Sequence, residues 1–194
     1  MIVYIHGASA TSESFSYIRE HIYKEIKEPD LLIDYKSSNG FKDNLDEMVH
    51  KLSKAKKLFF ISHSLGGIYA LHLANIFKDK TKGGISLSTP YGGSQQADFA
   101  KYFLPFNQLM RDIGTMSTPM LDAKILPAPD NWTNVVTTAG RSPWICGPND
   151  GVVTTNSMVY RKDFELIEVD LNHYEVVLSE KVLNIILDKI KETL

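Results

Sequence analysis

A single cysteine, Cys146, among 194 residues leaves the chain without any internal disulfide. That scarcity fits a reducing compartment. No apolar run approaches the roughly 18 residues that a membrane-spanning helix requires. Met1 leads straight into Ile2-Val3-Tyr4-Ile5, with no room for the basic and apolar regions of a secretory signal. A cytoplasmic protein without a membrane span is the expectation. Charge of one sign is also lacking: 21 Lys and Arg face 23 Asp and Glu, for a net charge of −2. With no block of about five or six basic residues, the electrostatic footprint of a nucleic-acid binder is absent. No His, Cys, Asp and Glu recur at metal-ligand spacing, so no metal and no other cofactor is expected. Repeats, linkers and low-complexity tracts are missing too. What remains is one domain over residues 1–194, 43% hydrophobic and large enough to bury a core unaided.

Short apolar runs alternate with amphipathic stretches. Ile2 to Ile5 reads as a strand, followed by His6-Gly7-Ala8-Ser9-Ala10. Thr11 or Ser12 can cap a helix striped by Phe15, Ile18, Ile22 and Ile26. Leu31 to Tyr35 is a second strand, and Asp43 opens a helix facing inward through Leu45, Met48, Val49 and Leu52. Leu58 to Ile61 is a third, buried strand. Gly84 to Ser88, Val135 to Ala139 and Phe164 to Val169 complete six. Ser179 caps a closing helix with a core side of Val182, Ile186, Ile190 and Leu194. Such alternation predicts an α/β fold of about six parallel strands with helices on both faces, a three-layer α/β/α arrangement.

Chemistry concentrates where strands end, at the carboxyl edge of a parallel sheet. The third strand runs into Ser62-His63-Ser64-Leu65-Gly66, a Ser-x-Ser-x-Gly form of the tight turn that lifts a nucleophilic serine above a sheet. Asp150 follows the fifth strand and His173 the sixth. A serine hydroxyl attacks only when a base takes its proton, and imidazole titrates near neutral pH. His173 is the candidate base and Asp150 the candidate residue that orients it. The N–H groups of Ala8 and Leu65 are the candidate oxyanion donors. Asp130, Asp170 and Glu175 are rival acids, and Asp170, three residues before His173, is the serious one. His63 is a lesser alternative as base, and His6 is expected to order the loop after the first strand. Asp130 should lie at the wrong sheet edge, and Cys146 reads as a small buried thiol.

Taken together, His6-Gly7-Ala8, Ser62-His63-Ser64-Leu65-Gly66-Gly67, Thr89-Pro90-Tyr91-Gly92-Gly93-Ser94, Asn149-Asp150-Gly151-Val152-Val153 and Asn172-His173 resemble the α/β-hydrolase superfamily, in its small lipase and esterase branch. The resemblance implies the strand order 2-1-3-4-5-6 and a minimal version of the fold, since the two antiparallel strands that begin larger members are missing. It implies a serine hydrolase that cleaves carboxylic esters through a Ser-His-Asp triad and an acyl-enzyme. Ser62 stands where a first glycine is usual. An acyltransferase or thioesterase could share this set, and a non-catalytic binding protein of the same fold is the third alternative. The expected partner is a small-molecule ester with an apolar acyl part.

Residues 95–130 carry no strand signal and hold many aromatics and methionines cut by four prolines. They read as a lid or substrate-binding insertion, with Phe99, Phe103, Phe106 and Met110 as candidate substrate contacts.

Overall fold

In the computed structural model, which describes residues 1–36, 38–93, 114–143 and 145–194, six strands pair in parallel. They are β1 (Ile2–Ile5), β2 (Asp30–Ile33), β3 (Leu58–His63), β4 (Thr81–Leu87), β5 (Trp132–Thr137) and β6 (Glu165–Val169), in the order β2-β1-β3-β4-β5-β6. Every residue of β1, β3 and β5 is buried, as a parallel sheet covered on both faces demands. Alternate side chains therefore feed two separate cores.

On one face Val3, Ile5, Leu58 and Phe60 pack against α2 (Phe41–Leu52) and α3 (Leu65–Ile76) through Met48, Leu52, Ile68 and Leu73. On the other, Ile2, Tyr4, Phe59, Ile61 and Ile85 meet α1 (Ser16–Glu25) and α6 (Glu180–Thr193) through Ile18, Ile22, Val182, Ile186 and Ile190. The three-layer expectation holds. Buried apolar surface is worth about 25 cal/mol per Å², so these two cores are what hold the strand ends, and the loops they carry, in place.

Several local expectations differ from what is found: β5 spans Trp132–Thr137 rather than Val135 to Ala139, α2 opens at Phe41 rather than Asp43, and Leu194 is 37% exposed rather than on the core side of the closing helix. Neither Thr11 nor Ser12 caps α1: Ser12 instead gives both its N–H and its hydroxyl to Asp34, at 2.7 and 2.8 Å. β4 starts at Thr81 rather than Gly84, because Thr81 and Gly83 pair with Leu58 and Phe59 of β3 across a register shift that skips Lys82, although none of them offers an apolar signal. Cys146 is exposed, since it lies in the loop between β5 and β6 that turns on Gly147 at φ 88°. By contrast Ser179 does cap α6, accepting from Val182 N–H.

Residues 114–130 contain the crossover helix α4 (Thr118–Ile125), which packs on α3 and buries Met120 and Ala123. That part of the stretch is ordinary core on its inner side. Phe99, Phe103, Phe106 and Met110 lie outside the described residues. Among the described residues, no helix is long and apolar enough to cross a membrane.

Candidate active site

β3 delivers Ser64 to the sheet's carboxyl edge on a backbone with φ 52° and ψ −124°, left-handed geometry that a non-glycine residue rarely adopts. The turn is held by the main chain of Ser64 itself. Its N–H donates to Leu87 O at 2.8 Å, and its carbonyl accepts from Gly67 N–H and Thr89 Oγ1, each at 3.0 Å. Gly66 is needed next to it, because a Cβ there would collide with Ile5 O and push α3 off the end of β1. Ser62 is fully buried, and its hydroxyl reaches Ile85 O at 3.4 Å, so the serine in place of glycine is accommodated inside the sheet.

The acid arrives from a loop folded back on itself. Gly140 pairs with Asn149 as an antiparallel bridge so closely that a Cβ at Gly140 would strike the Asp150 backbone. Asn149 Oδ1 accepts from Ser142 and Gly151 N–H at 3.1 and 2.9 Å, pinning the turn. Asp150 is thereby placed over the end of β5, 1% exposed. Its Oδ1 accepts from Val152 and Val153 N–H at 3.0 and 2.7 Å, and its Oδ2 from Thr137 Oγ1 at 2.6 Å and His173 Nδ1 at 2.7 Å. Burial pushes the Asp150 pKa up, but His173, Thr137 and Val153 more than offset it and hold the carboxyl below its ordinary value.

A carboxylate can only accept, so Nδ1 of His173 carries a hydrogen, and in the neutral ring that leaves the lone pair on Nε2, the tautomer a general base needs. His173 is 3% exposed, and its own N–H donates to Asp150 O at 3.0 Å. The short turn that carries it is a reciprocal cap. Asn172 Oδ1 accepts from Tyr174 and Glu175 N–H, both at 2.9 Å, and Glu175 Oε2 accepts from Asn172 N–H at 3.0 Å. Glu175 is thus occupied in the turn. Asp170 is exposed, and Asp150 is the carboxylate on the imidazole.

Ser64, Asp150 and His173 are brought to one edge of the sheet. The link between the elbow and the imidazole runs through His63, whose ring lies 4.7 Å from that of His173. No hydrogen bond among the described residues joins Ser64 Oγ to His173, a contact that commonly tightens only when substrate is bound. The loop after β1 closes on the same spot: a Cβ at Gly7 would sit 3.1 Å from Ser64 Cβ and 3.2 Å from His63 Nδ1. Ala8 follows directly, and Leu65 opens α3, where the first N–H groups have no intrahelical acceptor. His6 is buried, donates from Nδ1 to Gly7 O at 2.7 Å, accepts from Tyr35 N–H at 3.4 Å and stacks on the Tyr35 ring at 4.2 Å. It orders this loop. Burial holds its pKa below the ordinary imidazole value.

Two buried hydroxyls escaped the sequence reading. Thr137 must give its one hydrogen to the Asp150 carboxylate, so Ser88, 2.8 Å away, must donate to Thr137. Nothing in a strand-end threonine distinguishes it in sequence; only the pairing of β4 with β5 brings Ser88 and Thr137 together. The Asn172-x-x-Glu175 cap, in contrast, was readable as a helix-start pattern.

Thr137→Val should therefore weaken the fold by about 1.5–3 kcal/mol, the worth of a hydrogen bond to a charged group, with the stranded Ser88 hydroxyl adding to the loss. Because the donor helps keep the Asp150 pKa low, its stabilising effect is present above the unfolded carboxyl value and disappears as pH falls through the folded one. In Thr137→Val that folded value rises, and the acid-unfolding midpoint followed by circular dichroism should move to higher pH. An unchanged midpoint would show that Thr137 does not stabilise the carboxylate.

No protein-family model matches the sequence, and no curated protein does. Solved structures do match. The mature form of lipase BlEst2 from Bacillus licheniformis is similar over 96% of this chain and 91% of its own, with a TM-score of 0.69 at 19% identity. An esterase of Pyrococcus furiosus is similar over 99% of this chain and 81% of its own, with a TM-score of 0.70 at 13% identity. Tomato methylketone synthase I, solved in complex with beta-ketoheptanoate, is similar over 98% of this chain and 97% of its own, with a TM-score of 0.65 at 12% identity.

Proposed function

Proceeding from the α/β-hydrolase fold that this chain shares with those lipases and esterases, we propose that it is a serine hydrolase of carboxylic esters, with Ser64 as nucleophile, His173 as base and Asp150 as the residue that orients the base. The observation that carries the reading is the buried 2.7 Å bond from His173 Nδ1 to Asp150, formed beside a serine held at positive φ on the elbow after β3. A structural ion pair has no need of a strained serine next to it.

In the first half-reaction Ser64 Oγ attacks the ester carbonyl carbon while its proton passes to His173 Nε2. The carbonyl oxygen becomes an oxyanion that Ala8 and Leu65 N–H groups receive, each such donor being worth about 2.7–4 kcal/mol in the transition state. The intermediate collapses, the alkoxy oxygen takes the proton back from His173 and leaves as the alcohol, and Ser64 is acylated. Water then repeats the sequence: His173 removes its proton, the carbonyl carbon is attacked, and Ser64 leaves reprotonated with release of the acid. Asp150 stays ionised throughout and stabilises the imidazolium that forms twice per turnover.

An apolar acyl part fits the rim of the site. Tyr174, next to His173 and edge-on to its ring at 5.5 Å, is 69% exposed. The test is a panel of p-nitrophenyl esters of graded chain length beside acyl-thioesters and alcohol acceptors. Hydrolysis of the esters, with rates that rise with chain length before levelling, is the expected result. Each added methylene should change kcat/KM by roughly tenfold or somewhat more, the 1–3 kcal/mol of an apolar pocket. Turnover of thioesters alone, or acyl transfer to alcohol without hydrolysis, overturns the ester-hydrolase reading.

A further inference from the structure

His63 is a buried, titratable side chain beside the proposed chemistry and takes no part in the steps above. It stands between Ser62 and Ser64, and its ring turns inward, 6% exposed. Two separate elements meet it, the turn that carries His173 and the loop after β1. Its Nε2 lies 2.9 Å from the carbonyl oxygen of His173, which can only accept, so Nε2 carries the hydrogen. Its ring packs at 4.7 Å and 49° against the His173 ring. Its Nδ1 faces Gly7 so closely that a Cβ added there would be 3.2 Å away.

His173 is fixed by three hydrogen bonds. Two are donated to Asp150, from the imidazole Nδ1 to its carboxylate at 2.7 Å and from the main-chain N–H to its carbonyl at 3.0 Å. They tie the base to its acid and say nothing about where the pair stands relative to the nucleophile. The third, from His63, is the one that ties the base to the elbow. The distance across which Ser64 gives up its proton is set by how the turn at 172–175 sits against the end of β3, and His63 spans that junction.

We infer that His63 is a positioning residue that sets the register between the nucleophile elbow and the turn carrying the base. This rests on the ester-hydrolase reading above. Burial, and then the neighbouring His173, push the His63 pKa down to about 3, so the ring stays neutral with its Nε2–H in place wherever such an enzyme would operate. The same low proton affinity makes it a poor base, which separates its role from that of His173. A displacement of one ångström between reacting groups can cost on the order of 10²-fold in rate, and that is the scale on which losing this strut should act.

The experiment compares wild type, His63→Leu and His63→Gln on p-nitrophenyl butyrate, with the rate of Ser64 labelling by a fluorophosphonate and the melting temperature measured on each. Leucine keeps the volume and removes the donor; glutamine restores an amide N–H that can reach the His173 carbonyl. His63→Leu should lose on the order of 10–10²-fold in kcat and in labelling rate with little change in KM. His63→Gln should recover most of the loss, although both variants lack the ring. A purely structural role predicts a different split, in which both variants lose melting temperature and rate alike and glutamine rescues nothing. That result overturns the inference, as does a His63→Leu protein with wild-type kcat. If leucine prevents folding, the glutamine variant alone decides: a labelling rate near wild type supports the strut, and a collapsed rate in a folded protein refutes it. Wild type that neither hydrolyses the ester nor labels sinks the ester-hydrolase reading itself, and is told apart from the other outcomes because it appears before any variant is made.

Discussion

Ser64→Ala should lower kcat on activated esters by about 10⁶-fold, the loss seen when the nucleophile of a serine-histidine-aspartate set is removed, and should end fluorophosphonate labelling. The melting temperature should stay close to that of wild type. The reason lies in which atoms of Ser64 hold the turn: the N–H to Leu87 and the carbonyl from Gly67 and Thr89 are main-chain groups that alanine keeps. Alanine and serine are also under similar strain at φ 52°, of order 1–3 kcal/mol. A Ser64→Ala protein that turns over p-nitrophenyl butyrate at the wild-type rate would falsify the assignment of the nucleophile.

Asp150→Asn should cost about 10⁴-fold in kcat, more than any other change to the acid loop. An amide nitrogen in the place of Oδ1 would face the Val152 and Val153 N–H hydrogens, so it takes the place of Oδ2, against His173 Nδ1 and the Thr137 hydroxyl. That placement turns His173 toward the tautomer with a hydrogen on Nε2, where it can take no proton from Ser64. Acid unfolding supplies an independent readout. The folded-state pKa of Asp150 is depressed, so its stabilising contribution is complete above the ordinary carboxyl value near 3.9 and fades as pH falls through the folded value. The Asn variant should lack that component and lose stability less steeply in acid. Asp170→Asn, at an exposed position, should leave both kcat and the acid profile near wild type. A reversal of the two outcomes would transfer the role to Asp170.

The parallel sheet was legible because its middle strands are short, continuous apolar runs, and the strand order followed from resemblance to a known fold. Strand β4 was legible only from Ile85 onward, since Thr81, Lys82 and the two glycines join it through main-chain bonds that leave no mark on composition. Sequence ranks Asp150 above Asp170 without deciding between them, because both lie after strands on the correct edge. What separates them is the Gly140–Asn149 bridge, a contact between residues whose identities give no warning of it. The sequence offers His63 only as a lesser alternative base, and the 2.9 Å bond to His173 O places it at the junction between elbow and turn. The exposure of Cys146 was missed for a related reason: burial is a property of where a loop goes, and this loop folds outward around Gly147.

The order of strands in the sheet also bears on when such a site can exist at all. Ser64 is anchored by β3, Thr137 by β5 and His173 by the turn beyond β6, and the residues between them are joined by pairings distant in sequence. Non-local pairings of this kind form late and slowly, because loop closure must precede the contacts that reward it. On a ribosome the chain would emerge with its elbow strand long before the turn carrying residue 173 could dock. For that interval Ser64 stands without His173 near it, so under the proposed reading hydrolysis would begin only once the turn beyond β6 has docked, and no partly folded chain would carry it out.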